Sequence, residues 1–192
     1  MQNSFAPMTT TALPNIVRLS QLFAQRGWPQ YFTQHGHAAR DFEEPVRNQL
    51  VRKWGVGGSI AVNSSEWEFM PAIRDLLAAA TASSQTSGSR VISKNVYDAF
   101  YGVVDGETRT EELEGRLRSE GVGRVVIVGV MTDCCCDSTG RSAFNRGFET
   151  WLVSDATGSA SKSQHERGLK AWGFGYGDVL TTEEAVGRLC AD

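Results

Sequence analysis

The stretch RVVIVGV, residues Arg124–Val130, decides the fold class of this chain. Its apolar residues follow one another and are mostly β-branched, whereas a strand with one face in water would alternate apolar and polar residues. A continuous apolar run is typical of a strand that is buried on both faces, as in a parallel sheet covered by helices. We therefore expect an α/β protein.

Helices and strands are expected to alternate along the rest of the chain. Apolar residues at helical spacing in residues 15–25 predict an amphipathic helix, with Pro14 in its first turn and Gly27 at its exit. The other expected elements are, in chain order, a strand at 29–33, a polar surface loop at 34–48, a helix that includes Trp67, Phe69 and Met70 and is interrupted or restarted at Pro71, a serine-rich connector at 81–89, a strand at 90–93, a helix behind a capping box at 108–111, a helix at 136–146, a strand at 149–153, a helix at 165–172, a strand at 178–180 and a helix behind a capping box at 181–184.

The alternation predicts a doubly wound, mainly parallel sheet with helices on both faces, a Rossmann-like three-layer sandwich. Ligands of such sheets bind beyond the carboxyl ends of the strands. With 192 residues and no linker or repeat, we expect one domain over residues 1–192. One feature is unusual, because the chain opens with a helix although a βα unit normally opens with its strand.

Composition narrows the class of partner. The net charge of −3 and the pI near 5.7 provide no basic surface for nucleic acid or an anionic membrane, so small-molecule or protein partners are favoured. The sequence shows no signal peptide and no apolar stretch long enough to span a membrane. Three of the four cysteines are consecutive, which fits neither a disulfide framework nor a zinc site. We therefore expect reduced thiols and a cytoplasmic protein.

The richest chemical signal is GVMTDCCCDSTGRSA, residues 129–143, where the buried strand gives way to a helix. A cysteine at a helix start meets backbone N–H groups that favour a thiolate and can bind an oxyanion, so Cys135 is a candidate nucleophile. For a buried cysteine taken alone, packing under a helix is the commoner explanation. Lys94 closes another strand, and burying a lysine there is costly unless the ammonium is paired. Both residues point to the ligand crevice.

These segments resemble the isochorismatase-like hydrolases. Their pattern of threonine, two residues, cysteine, three residues and threonine falls on Thr132, Cys135 and Thr139. The resemblance extends through SKNVYDAF (93–100), DATGS (155–159), His165–Glu166 and VLTTEEAV (179–186), and so covers nearly the whole chain. It implies an α/β hydrolase that needs no cofactor and forms dimers or tetramers.

The resemblance also assigns roles. It implies that Cys135 is the catalytic cysteine and Lys94 the catalytic lysine, with Cys134 and Cys136 as neighbours without that role. It places a cis peptide bond at Val130–Met131, which would turn the Met131 and Cys135 N–H groups inward as an oxyanion hole.

The family's third catalytic residue is an aspartate that closes the first strand and precedes Met-Gln-Asn-x-Phe. This sequence opens with Met1-Gln2-Asn3-Ser4-Phe5, so the first strand and its aspartate are missing from it. In the family that strand is central, and its absence would leave two strands without a partner. We expect a misplaced start or a truncation, with a natural inactive protein as the alternative. Asp133 and Asp137 are poor substitutes, because one precedes the nucleophile on the turn and the other faces away on a helix.

Other residues contribute to the expected pocket. Phe5, Tyr97, Phe100 and Thr132 are its candidate lining, although core packing is the commoner role of any one aromatic residue. His35 and His37 lie where the family's metal-using nicotinamidases carry an Asp-x-His pair. A metal ion needs about three protein ligands, so we expect no metal here. Asp98 stands where the family's lysine motif usually has a small residue, and we expect this difference to affect substrate choice.

The preferred hypothesis is hydrolysis of a small amide or related C–N substrate through a thioester at Cys135. Hydrolysis of a vinyl ether of the isochorismate type is less favoured, because members of the family with that activity usually lack the cysteine. A catalytically silent binding protein or oligomer subunit is the alternative from another class, and the missing aspartate is its main support.

Overall fold

The computed structural model describes residues 1–83, 90–101, 103–104 and 112–191. Its strands are β1 (Phe32–His35), β2 (Val91–Lys94), β3 (Val103–Val104), β4 (Arg124–Val130), β5 (Glu149–Gly158) and β6 (Asp178–Leu180). Its α-helices are α1 (Ala6–Thr9), α2 (Leu13–Arg26), α3 (Gln49–Trp54), α4 (Pro71–Ser83), α5 (Glu112–Ser119), α6 (Asp137–Asn145), α7 (Lys162–Gly175) and α8 (Thr182–Ala191). Short 3₁₀ turns lie at Asn3–Phe5, Ala39–Asp41, Val56–Gly58 and Ala99–Tyr101, and a π-helical turn lies at Thr132–Cys136.

The strands form two three-stranded sheets, in the orders β1-β2-β3 and β4-β5-β6. All neighbouring strands are parallel except β3, which runs antiparallel to β2. Within the described ranges, β1 pairs with β2 only and β4 pairs with β5 only. The parallel α/β class is therefore confirmed, with two strands that each lack a partner on one side, as the resemblance implied.

A cavity of about 480 Å³ is lined by residues of both β1 and β4. It reaches from Tyr31 at the amino end of β1 to Lys94 and Cys135 at the carboxyl ends of their strands. The cavity explains why β4 is less buried than its sequence predicts. Ile127 and Gly129 of β4 are buried, whereas the other residues of this strand are only partly covered.

Helices cover both faces of the sheets, as the apolar run of β4 predicts. On one side α2, α4 and α8 pack against β5 and β6 through a cluster that includes Ile16, Ile73, Trp151 and Leu189. On the other side α5 and α6 pack around Phe100, Leu113 and Phe148, and α7 buries Trp172 against Ile127 and Leu152.

The helix α6 approaches β4 and α7 closely at Gly140. A Cβ atom at this position would lie 1.9 Å from Cη2 of Trp172 and 2.6 Å from Cδ1 of Ile127. Glycine is needed here because any side chain would collide with the buried indole. The close packing fixes the start of α6, which follows directly after the cysteines.

The structure corrects several expectations about the elements. Only part of the segment 34–48 is a surface loop, because His37 is buried. The His37 N–H donates to the Ile60 carbonyl, and the His37 carbonyl accepts from the Val62 N–H. Trp67, Phe69 and Met70 precede α4, which begins at Pro71. β1 is shifted towards the carboxyl end of 29–33, and β5 extends beyond 153 to Gly158.

The second capping box is confirmed, because the Thr181 N–H donates to Glu184 Oε2 at 2.7 Å at the start of α8. The first capping box, at 108–111, lies outside the described residues. Of the connector expected at 81–89, residues 81–83 belong to the last turn of α4 instead, and residues 84–89 lie outside the described part of the chain. In the described ranges, no helix is long and apolar enough to cross a bilayer.

Candidate active site

The π-helical turn Thr132–Cys136 places Cys135 between β4 and α6, where it lines the cavity. The backbone that leads into this turn has two unusual conformations. Gly129 has a φ of +111°, which glycine adopts readily, and the Val130–Met131 peptide bond is cis, as the resemblance implies. The Cys136 N–H donates to the Met131 carbonyl at 3.1 Å, which closes the turn. The first N–H groups of a helix lack intrahelical acceptors, so this turn can offer donors to a ligand.

Lys94 lies at the carboxyl end of β2 with only 5% of its surface exposed. Its ammonium donates to the Val96 carbonyl at 3.1 Å and to the Tyr97 carbonyl at 2.9 Å. It also contacts Cys135 Sγ at 3.3 Å. An ammonium group has three donors, and these contacts account for all three. The structure thus brings the predicted nucleophile and the predicted lysine together, although they are 41 residues apart.

Thr139 connects the lysine segment to α6. Its hydroxyl accepts a hydrogen bond from the Ala99 N–H at 3.0 Å and lies 3.4 Å from the Tyr97 carbonyl. The second threonine of the sequence pattern therefore supports one of the carbonyls that hold Lys94. This role was not predicted from the sequence, which showed the spacing of the motif but not its contacts.

The neighbouring cysteines differ from Cys135 in their surroundings. Burial, with a smaller contribution from Asp133, raises the pKa of Cys134 to about 11. Cys136 is 4% exposed, and burial raises its pKa further. Both groups therefore stay thiols near neutral pH. Cys190 is exposed at the far end of the chain.

The two aspartates beside the cysteines have other partners. Asp133 accepts a hydrogen bond from the Ser159 hydroxyl, and Asp137 accepts from Arg141 Nε at 2.8 Å. Among the described residues, no carboxylate forms a hydrogen bond with Lys94 or Cys135. By hydrogen bonding, therefore, no carboxylate of the described residues takes the place of the aspartate that the family has at the end of its first strand.

His35 and His37 lie next to each other at the same edge of the sheet, with 3.2 Å between their Nε2 atoms. Burial, and then the charge of Lys94, lowers the pKa of His35 to about 3. Burial also lowers the pKa of His37, against the opposing effect of Asp41. Both rings are therefore neutral at pH 7. Within the described ranges, no group of three or more His, Cys, Asp or Glu residues could hold a metal ion. These two histidines alone do not make a ligand set.

Gln2 is a buried residue that sequence reasoning missed. Its side chain accepts from the His35 N–H at 2.8 Å and donates to the His35 carbonyl at 2.6 Å. It also donates to the Trp67 carbonyl at 2.8 Å. The amide thus pairs with the free edge of β1 much as a neighbouring strand would. A single glutamine near the start of a chain gives no periodic signal that would have revealed this.

The candidate pocket residues occupy different places. Phe5 and Phe100 line the cavity, and Phe100 is also 3% exposed and packs near Phe148. Tyr97 holds Lys94 through its carbonyl, while its hydroxyl accepts from Trp54 Nε1 at 3.1 Å. Thr132 is fully buried, and its hydroxyl lies 2.7 Å from His165 Nδ1.

Comparison with known proteins identifies the family. The profile of the isochorismatase domain matches residues 1–184. The chain belongs to the isochorismatase family. The chain is similar to Nicotinamidase 3 of Arabidopsis thaliana, to which it is 29% identical over 184 residues, covering 96% of this chain and 82% of that protein. The maleamate amidohydrolase of Pseudomonas putida is 30% identical over 114 residues, covering 59% of this chain and 50% of that protein.

The fold of this isochorismatase-family chain also matches solved structures. The isochorismatase family protein of Desulfovibrio vulgaris superimposes with a TM-score of 0.74 at 20% identity, covering 100% of this chain and 95% of that one. Since the identity is low, this likeness shows the fold. Together with the family match, it supports a hydrolase of the α/β class.

Proposed function

We propose that this isochorismatase-family hydrolase cleaves a small amide or related C–N bond through a thioester at Cys135. The contact of 3.3 Å between Lys94 Nζ and Cys135 Sγ carries the proposal. A lysine that is 5% exposed and held by two carbonyls is costly to bury, so a partner that can bear negative charge explains its position. A thiolate at Cys135 would be that partner.

The sulfur of Cys135 would attack the carbonyl carbon of the amide and form the C–S bond. The N–H groups of Met131 and Cys135 would hold the oxyanion of the tetrahedral intermediate, which collapses as the C–N bond breaks and the amine leaves with a proton from the Lys94 ammonium. Water then attacks the thioester carbonyl and gives a proton back to the Lys94 amine, the C–S bond breaks, and the acid, the Cys135 thiolate and the Lys94 ammonium are released or restored.

The substrate would bind at the end of the cavity that is lined by Lys94 and Cys135. Cys135, Lys94 and Phe5 line the same cavity, so an apolar body could pack there with its carbonyl at the sulfur. The names of the two relatives, a nicotinamidase and a maleamate amidohydrolase, both denote amide hydrolysis. They favour a primary amide over a vinyl ether.

The experiment measures ammonia release from a panel of primary amides that includes nicotinamide and maleamate. We expect release from at least one amide, its abolition in Cys135→Ala, and normal release in Cys190→Ala, which removes an exposed thiol that does not line the cavity. Release that persists in Cys135→Ala would contradict the proposed nucleophile.

A second candidate is a catalytically silent binding protein. It is favoured by one observation, namely that no carboxylate among the described residues forms a hydrogen bond with Cys135 or Lys94. Such a protein would bind amides without releasing ammonia. Calorimetric binding of an amide by wild type that shows no turnover would support this candidate.

We further propose that residues 1–192 act as one domain, in the cytoplasm and as a dimer or tetramer. Light scattering coupled to size exclusion tests the assembly, and a monomer would contradict it.

A further inference from the structure

Asp98 lies directly after the segment that holds Lys94. The carbonyls of Val96 and Tyr97 accept from the lysine ammonium, and Asp98 is the next residue in the chain. One oxygen of its carboxylate accepts from the Phe100 N–H at 2.9 Å and so caps the 3₁₀ turn Ala99–Tyr101. Its other oxygen accepts from the Ser142 hydroxyl at 2.5 Å.

Ser142 belongs to α6 and is itself held in place. Arg146 Nη1 donates to the Ser142 hydroxyl oxygen at 2.7 Å, which leaves the hydroxyl proton for Asp98. Arg146 Nε donates to Glu114 Oε2 of α5 at 3.0 Å. The guanidinium also lies 4.6 Å from the centre of the Phe100 ring. The link between Asp98 and Ser142 is therefore part of a network that joins the lysine segment to two helices.

The same helix positions the nucleophile, because α6 begins two residues after Cys135. The position of each partner in the contact between Lys94 and Cys135 therefore depends on α6. The sulfur is connected to α6 directly along the chain, and the ammonium is connected to it through residues 96–98 and their hydrogen bond with Ser142. We infer that Asp98, through its hydrogen bond with Ser142, is a positioning residue that sets the distance between the Lys94 ammonium and the Cys135 sulfur. The inference rests on the proposed pairing of these two groups.

A purely structural role of Asp98 as a turn cap is the alternative. Ser142→Ala separates the two, because it removes the link to α6 and leaves the hydrogen bond from the Phe100 N–H to Asp98 in place. Ser142→Thr keeps a hydroxyl at the position, and Ser163→Ala removes an exposed serine of α7 as a matched control.

The readout is the second-order rate of iodoacetamide alkylation at Cys135, followed by mass spectrometry between pH 6 and pH 9, with Cys190 as the internal reference. We expect Ser142→Ala to slow Cys135 about fivefold at neutral pH and to displace its pH profile, while the rate at Cys190 stays unchanged and the melting temperature falls by only about 2–4 °C. Ser142→Thr should restore most of the rate, and Ser163→Ala should match wild type.

A second comparison isolates the path through the lysine. In a Lys94→Met background, Ser142→Ala should slow Cys135 no further, because the group that it positions is gone. An undiminished effect in that background, or an unchanged rate and profile in Ser142→Ala alone, would overturn the inference. Wild type in which Cys135 reacts no faster than Cys190 would instead refute the proposed function, so the two failures are distinguishable.

Discussion

The ammonium of Lys94 lies 3.3 Å from the sulfur of Cys135, although Lys94 ends a strand of one three-stranded sheet and Cys135 lies in the turn after β4 of the other. Ligands of parallel α/β sheets bind at this carboxyl end of the strands. At the carboxyl ends of the strands, the two sheets are therefore connected by the contact between Lys94 and Cys135. A cavity lined by residues of β1 and β4 extends from this contact towards the amino ends of the strands.

Removing the charge of Lys94 should weaken the reactivity of Cys135. In Lys94→Met we expect alkylation of Cys135 to slow about tenfold or more at pH 7.5, because no cation then faces the sulfur. Lys94→Arg should recover only part of the rate, since a planar guanidinium does not reproduce three contacts made by one nitrogen. Equal rates in wild type and Lys94→Met would contradict the pairing. Circular dichroism checks that both variants are folded.

Stability should fall as the solution becomes acidic. The pKa of His35 is about 3 in the folded chain, against 6.5 for an ordinary histidine, so between these values the unfolded chain binds more protons than the folded one. Its contribution is complete above pH 6.5 and is lost on acidification.

His35→Asn isolates the contribution of the histidine. Between pH 6.5 and pH 5, we expect the unfolding free energy of wild type to drop by about 2 kcal/mol more than that of the variant, as measured by urea denaturation. Parallel curves for the two proteins would show that His35 is not buried as the structure has it.

Gly140→Ala should be strongly destabilising. Its methyl group would collide with Trp172 and Ile127, and overpacking of this kind costs about 1–3 kcal/mol or more. Gly187→Ala in α8 is the matched control, since a Cβ there meets nothing within 4 Å. The control should gain about 0.5–1 kcal/mol from helix propensity. Thermal unfolding of both variants measures the contrast, and similar shifts in the same direction would argue against the close packing of α6.

Gln2→Ala should destabilise the edge of β1. It leaves the His35 N–H and C=O without the partners that the glutamine provides, and an unsatisfied buried polar group costs about 1–3 kcal/mol. Asn3→Ala is the control, because its hydrogen bond to the Ser65 carbonyl is exposed. Chemical denaturation should show a loss for Gln2→Ala several times that of Asn3→Ala. Equal losses would contradict the pairing.

Much of the fold could be predicted because the pattern of apolar and polar residues in each segment matches the burial of that segment in the folded protein. The bounds of β4 and β6 were predicted as the structure has them, since an apolar run and its flanking turns mark both ends. The burial of His37 and the absence of helix at Trp67 could not be predicted. Both depend on contacts between segments distant in sequence, such as the hydrogen bond of His37 with Ile60, which a one-dimensional pattern does not contain.

The candidate site was predicted in part. The positions of Cys135 and Lys94 at strand ends followed from the sequence, and the motif of the isochorismatase family named both residues. The supporting residues Gln2, Asp98 and Ser142 act through hydrogen bonds across 33 to 44 residues of chain. Polar residues of this kind have no periodicity, so only the structure reveals their roles.

The central claim is that Cys135 is an activated nucleophile, and site-resolved alkylation tests it most directly. Wild type is treated with substoichiometric iodoacetamide at pH 7.5, and the modified cysteine is identified by peptide mass spectrometry. The account predicts that Cys135 reacts about ten times faster than the exposed Cys190, with Cys134 and Cys136 nearly unmodified. Modification of Cys190 first, or equal slow labelling of all four thiols, would contradict it.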